Sequence, residues 1–133
     1  MKRELKILAI DREEIILNSI RKALKNDEGI DYQITTCTTA LDGLKLIRSN
    51  KFSLALIDLV LPGMDGFEVL RRIKNIDASI SVIIMTGFSP VNIQLESVDN
   101  ESLKEKTLNS AEGFLLKPFT TGEIKSLIAR VLK

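Results

Sequence analysis

The 133-residue chain has no histidine, no tryptophan and a single cysteine, Cys37. The lack of histidine rules out Cys/His zinc clusters, Ser-His and Cys-His nucleophile systems, and any imidazole general base. One cysteine cannot close an internal disulfide, so no disulfide scaffold is encoded. Charge of one sign is missing too: 19 Lys and Arg against 18 Asp and Glu leave +1, no footprint for nucleic acid or a membrane surface. No apolar run approaches bilayer length, and Met1-Lys2-Arg3-Glu4 leads into a strand-like stretch rather than a signal peptide. These absences predict a cytoplasmic protein whose chemistry runs on carboxylates, hydroxyls, lysines and arginines. What is present, 44% hydrophobic and 28% charged residues, fits one globular domain (1–133) able to bury a sizeable core.

Short apolar runs alternate with amphipathic segments. The runs Leu5–Ile10, Tyr32–Cys37, Leu54–Asp58, Ile80–Thr86 and Gly113–Leu116 read as strands. Between and after them lie helices. The first follows Asp11, with Ile16, Ile20, Ala23 and Leu24 on one face, and the second starts at the cap residue Thr39. The third starts at Asp65 with Glu68 as capping-box partner, and the last at Thr120 with Glu123 in the same relation. Strands apolar on both faces, such as Leu54–Ile57 and Val82–Met85, belong in a parallel sheet covered by helices. Repeated βα units of this length predict a doubly wound α/β fold, with helices on both faces of a parallel sheet. The most polar strand, Tyr32–Cys37, is placed at an edge. The stretch SPVNIQLESVDNESLKEKTLNSAEG fits no single helical face. It reads as a loop plus a helix or two short helices, and as the part of the fold that opens most readily.

The segment LALIDLVLPGMDGFEVL raises a chemical question, because a buried-looking strand ends in a carboxylate, Asp58. A buried charge is costly unless paired, coordinated or set at an edge. In open parallel sheets the site lies beyond the carboxyl ends of the strands. Asp11, Asp58, Thr86 and Lys117 all fall there. Singly, each has a plain reading: Asp11 as a helix cap, Thr86 as a turn residue, Lys117 as a solvated charge. Four on the tips of four strands make a site.

These residues resemble the receiver domain of two-component response regulators. The match runs through KILAID, LALIDLVLPGMDGFEVLRRIK, VIIMTG and FLLKPF, and it combines D-x-x-x-P-x-x-D-G with a Thr-Gly strand end and a Lys-Pro pair. The resemblance implies a five-stranded sheet of flavodoxin-like order 2-1-3-4-5. It implies that Asp58 accepts a phosphoryl group from a sensor histidine kinase or phosphotransfer protein, with Mg²⁺ held by Asp11, Asp58 and the Val60 carbonyl. Lys117 and Thr86 then contact the phosphoryl oxygens, and the Lys117-Pro118 bond is cis. Phe114 takes the place of an aromatic switch, although a plain core role suits it equally. The implied protein is a signalling switch rather than an enzyme. It acts on an output protein or an attached effector domain, without touching DNA or membrane itself.

One position departs from the family pattern. Two adjacent acids usually follow the first strand; this chain has Asp11-Arg12. Glu13 is a candidate replacement ligand, although a shift of one residue at a helix start rotates a side chain by about 100°. Arg12 predicts weakened Mg²⁺ binding and a resting ion pair with Asp58 or Asp11. The alternative function is a pseudo-receiver, a binding module held by such pairs without phosphoryl transfer. A small-molecule phosphohydrolase or phosphotransferase ranks last, because no further acid-base carboxylate or substrate pocket can be placed. Asp65 reads as a helix cap rather than a ligand.

Overall fold

The computed structural model describes residues 2–87 and 109–132. Five parallel strands form one sheet in the order β2-β1-β3-β4-β5. They are β1 (Arg3–Ile10), β2 (Ile30–Cys37), β3 (Leu54–Asp58), β4 (Ser81–Thr86) and β5 (Gly113–Leu116). Among the described residues four helices follow strands: α1 (Glu14–Ala23), α2 (Ala40–Ser49), α3 (Gly66–Ile76) and α4 (Thr121–Val131). The polar strand β2 lies at an edge, as its composition predicts. The long segment after Thr86, with the expectation that it opens readily, falls almost wholly outside the described residues.

Side chains alternate across a strand, so each inner strand feeds two cores. Ile7, Ala9, Leu54, Leu56, Ile83 and Met85 pack with α1 and α4 on one face. Leu8, Ile10, Ala55, Ile57, Val82 and Ile84 pack with α2 and α3 on the other. All five residues of β3 are buried, which is why its sequence is apolar without alternation. Each fully buried Leu, Ile or Val contributes roughly 1.5–3 kcal/mol, so the centre of this sheet is the most rigid mount the fold offers.

The last three of these helices begin where the cap residues predict. Thr39 Oγ1 accepts from the Asp42 N–H at 3.2 Å, and Asp65 Oδ1 accepts from the Glu68 N–H at 2.9 Å. Thr120 and Glu123 close a full capping box. At α3 only half the expected box forms, because the Glu68 carboxylate turns to Arg71 and Arg72 on the next turn. Charge-assisted bonds to two guanidinium groups outcompete one neutral backbone N–H.

Gly66 carries a constraint that the motif alone did not reveal. A Cβ there would lie 2.7 Å from Leu59 Cα and 2.8 Å from the Asp58 carbonyl oxygen, both backbone atoms. The Gly66 N–H donates to the Leu59 carbonyl at 2.7 Å, so α3 starts in direct contact with the end of β3. Gly66→Ala is expected to lower unfolding free energy by about 1–3 kcal/mol in urea titration, because the loop must shift to admit the methyl group. An unchanged midpoint would show that the approach is looser than drawn.

Candidate functional site

Among the described residues, the buried polar or charged side chains are Asp11, Asp58 and Thr86, and all three sit at the carboxyl ends of β1, β3 and β4. A fold that buries polar groups in one place only has put them there for a purpose or has paired them. Asp58 is the last residue of β3. The chain beyond it is pinned by the Leu59 N–H donating to the Met85 carbonyl at 2.9 Å. Its Oδ1 accepts from the Val60 N–H at 3.2 Å and from Lys117 Nζ at 3.3 Å. Its Oδ2 is buried without a hydrogen-bond partner.

Asp11 follows β1 and is fully buried. Its Oδ1 accepts from the Glu13 N–H at 2.8 Å, and its Oδ2 from Lys117 Nζ at 3.2 Å. It therefore restrains the start of α1, whose own N-cap residue Glu13 makes no side-chain cap. Asp11 is thus not the N-cap of α1, which is Glu13, but it ties down the turn before it. Burial pushes its carboxyl above the ordinary value and the nearby charge of Asp58 adds to this, while the Glu13 N–H and the Lys117 ammonium oppose the rise without reversing it.

Lys117 follows β5, and its backbone N–H donates to the Thr86 carbonyl at 2.8 Å. The Lys117–Pro118 peptide is cis. Its ammonium bridges both carboxylates across the top of the sheet, with the side chain 18% exposed. Two buried acids therefore share one mostly buried cation. Thr86 ends β4 in register with Leu116, next to the root of Lys117. Phe114 is half-buried against the core on the α2 and α3 side. Val60, apolar and exposed, contributes its backbone.

Arg12 corrects the expectation of a resting ion pair with Asp58 or Asp11. Its side chain is 53% exposed and its guanidinium faces Glu13 at 4.0 Å. The physical reason is geometric: Lys117 already meets one oxygen of each acid, while the long Arg12 side chain runs outward to Glu13. Glu13 does not bring its carboxylate inward either. It gives the site a backbone N–H and leaves its acid half exposed at Arg12. Accordingly, among the described residues no group of three potential metal-ligating side chains forms.

Two carboxylates, one with a free buried oxygen, still suit a magnesium ion, which binds through one or two protein carboxylates and otherwise keeps water and substrate oxygens. The same arrangement suits a carboxylate nucleophile, with one oxygen free of hydrogen bonds and a cation holding the other.

Known proteins resemble this chain over nearly its whole length. A family model described as the response regulator receiver domain matches residues 7–129. Sporulation initiation phosphotransferase F of Bacillus subtilis is 35% identical over 130 residues, covering 96% of this chain and 93% of that protein. Transcriptional regulatory protein ZraR of Klebsiella oxytoca is 29% identical, but the chain spans only 26% of its length. Among solved structures, a CheY-like receiver domain protein from Methanospirillum hungatei matches with TM-score 0.79 and 26% identity, covering 99% of this chain and 94% of that one. The receiver domain of a putative LuxO repressor from Vibrio parahaemolyticus gives TM-score 0.79 and 28% identity, with 97% and 90% covered. With its sheet order, its buried acids and these matches taken together, the chain belongs to the response regulator receiver domain family of two-component signalling.

Proposed function

We propose that this receiver domain takes a phosphoryl group on Asp58 from a phosphohistidine of a sensor histidine kinase or phosphotransfer protein. The observation that carries the reading is the asymmetry of Asp58: Oδ1 is held by Lys117 and the Val60 N–H, and Oδ2 is buried without a partner. In the transfer the P–N bond to imidazole breaks as an Asp58 oxygen bonds to phosphorus, giving an acyl phosphate and a free histidine on the donor. Lys117 already spans the two acids. It turns to a phosphoryl oxygen as that charge arrives, while Thr86, at the tip of the neighbouring strand, offers its hydroxyl to another.

A magnesium ion would be held by Asp11, Asp58 and the Val60 carbonyl. When bound, it offsets repulsion between the carboxylate and the incoming phosphoryl oxygens. The protein acts as a switch in the cytoplasm, with Phe114 carrying the change toward an output protein or effector domain. No helix among the described residues is long and apolar enough to cross a membrane. The pseudo-receiver alternative needed Arg12 to lock the acids, and Arg12 faces Glu13 instead.

Incubation with acetyl phosphate and Mg²⁺, followed by intact-mass measurement and peptide mapping, tests the reading. A single phosphoryl adduct is expected on the wild type and none on Asp58→Asn. An adduct that survives Asp58→Asn, or maps to Asp11, Asp65 or a hydroxyl, would overturn it.

A further inference from the structure

Strand β2 is an unusually open edge. It runs for eight residues, Ile-Asp-Tyr-Gln-Ile-Thr-Thr-Cys, paired on one side only, along the whole of β1. Natural edge strands are normally shortened, or guarded by lysine or proline, against pairing with another chain. This one carries none of those guards. It is rich in β-branched and aromatic residues, and seven of its eight residues are half-buried.

Both faces of that edge open into grooves. On one face Tyr32 and Ile34 floor a groove of about 500 Å³, walled by Asn18, Arg21, Lys22 and Lys25 of α1 and the residues just after it. On the other face Gln33 and Thr35 line a smaller groove of about 240 Å³, with Leu46, Phe52, Lys6 and Lys51 around it. A strand added alongside β2 would direct alternate side chains into the two grooves.

The charges name the occupant. Five cations rim the two grooves: Arg21, Lys22 and Lys25 on one side, Lys6 and Lys51 on the other. Among the described residues none of the five is in an ion pair. Arg21 meets only the neutral oxygens of Asn18 and Thr36. The acids nearby leave one cluster unmatched. Asp27 accepts from Gly29 and Ile30 and pairs with Lys125, Asp31 accepts from Gln33 on the smaller groove's face, and Asp77 attracts Lys51. Among the described residues, the cations without an acidic partner beside the larger groove are therefore Arg21, Lys22 and Lys25. A second copy of this chain suits the edge poorly. Antiparallel self-pairing of β2 keeps α1 on the same face in both copies and would bring the cationic walls together.

We propose that the free edge of β2 accepts an acidic, extended peptide as a sixth strand. Backbone hydrogen bonds hold it in register, acidic side chains meet Arg21, Lys22 and Lys25, and small apolar ones cover the groove beside Phe52. This surface is separate from the Asp58 site and does not depend on phosphorylation.

A fluorescein-labelled octapeptide of alternating Glu and Val provides the probe, read by fluorescence anisotropy on the intact chain. Saturable binding is expected, with amide chemical-shift changes centred on β2. Affinity should fall at least about tenfold in the triple variant Arg21→Glu, Lys22→Glu, Lys25→Glu, whose three side chains are exposed, so that the sheet stays folded. N-methylation of one alternate set of peptide amides should cost a similar factor, and of the other set little. Equal binding of both methylated peptides would mean attraction by charge alone and would overturn strand addition. So would an absence of binding, unaltered affinity in the triple variant, or a concentration-dependent dimer of the protein alone that excludes the peptide.

Discussion

Lys117→Ala is expected to lower the unfolding free energy by about 3 kcal/mol at pH 7, and Asp11→Asn in the same chain to restore most of the loss. The estimate follows from what the lysine leaves behind. Asp11 is fully buried and the Asp58 side chain is 4% exposed, and Lys117 Nζ lies within 3.3 Å of both. Removing it strands two like charges in a site where Asp58 Oδ2 already lacks a partner. The sign of the pH dependence is determined by Asp11. Its carboxyl is already raised above 3.8, chiefly by burial, and Lys117 is one of the groups holding it down. Without the lysine the folded form binds a proton more readily still, while the unfolded form keeps its ordinary affinity. The native state then carries more protons than the unfolded one, so stability falls as pH rises. The deficit of Lys117→Ala is therefore greatest at neutral pH and shrinks as pH drops toward the ordinary carboxylate range. Urea titrations at pH 7 and pH 5 check this. A deficit that is equal at both, or that Asp11→Asn leaves untouched, would mean that Lys117 stabilises by packing its stem rather than by its charge.

The parts of the fold that were legible in the sequence are those where burial is two-sided. Leu54–Asp58 shows this, because a covered strand is apolar until something charged or polar stops it, whereas the edge strand Gly113–Leu116 has its ends marked by Gly113 and Lys117. β1 begins two residues earlier than its apolar run, at Arg3. That overhang pairs only with β2, while β3 joins at Ile7, so its side chains stay exposed and carry no hydrophobic signal. In α1 the deepest first-turn contact is Leu17 rather than Ile16, a choice between two neighbouring stripes that periodicity alone does not resolve. The site was legible as a set of positions, since Asp11, Asp58, Thr86 and Lys117 do end adjacent strands. Direction was not legible. A sequence gives Arg12 its charge but not its outward path, and Gly66 its size but not the backbone atoms against it.

Arg12→Asp is expected to tighten Mg²⁺ binding by about tenfold or more, and to speed labelling of Asp58 by acetyl phosphate. Wild type offers two carboxylates at the site, with the cation of Arg12 on its rim and half exposed. An exposed unit charge about 8 Å from a divalent ion in water is worth about 1 kcal/mol before salt screening. Reversing the sign doubles that, and physiological salt reduces it roughly threefold over one Debye length. Electrostatics alone therefore supplies only a few-fold gain. The remainder comes from the new carboxylate itself, next in sequence to Asp11, which can supply a third acidic oxygen where the chain now offers none. The control Arg12→Gln separates the two contributions. It removes the cation without adding an acid, so it should recover only half of that electrostatic energy, about a twofold gain in affinity. Amide chemical shifts followed during Mg²⁺ titration give affinities for all three proteins without reference to phosphorylation. Equal affinity of wild type and Arg12→Asp would mean that Glu13 turns away from Arg12 and already serves as the missing ligand. Equal affinity of Arg12→Gln and Arg12→Asp would instead assign the whole effect to the arginine's charge.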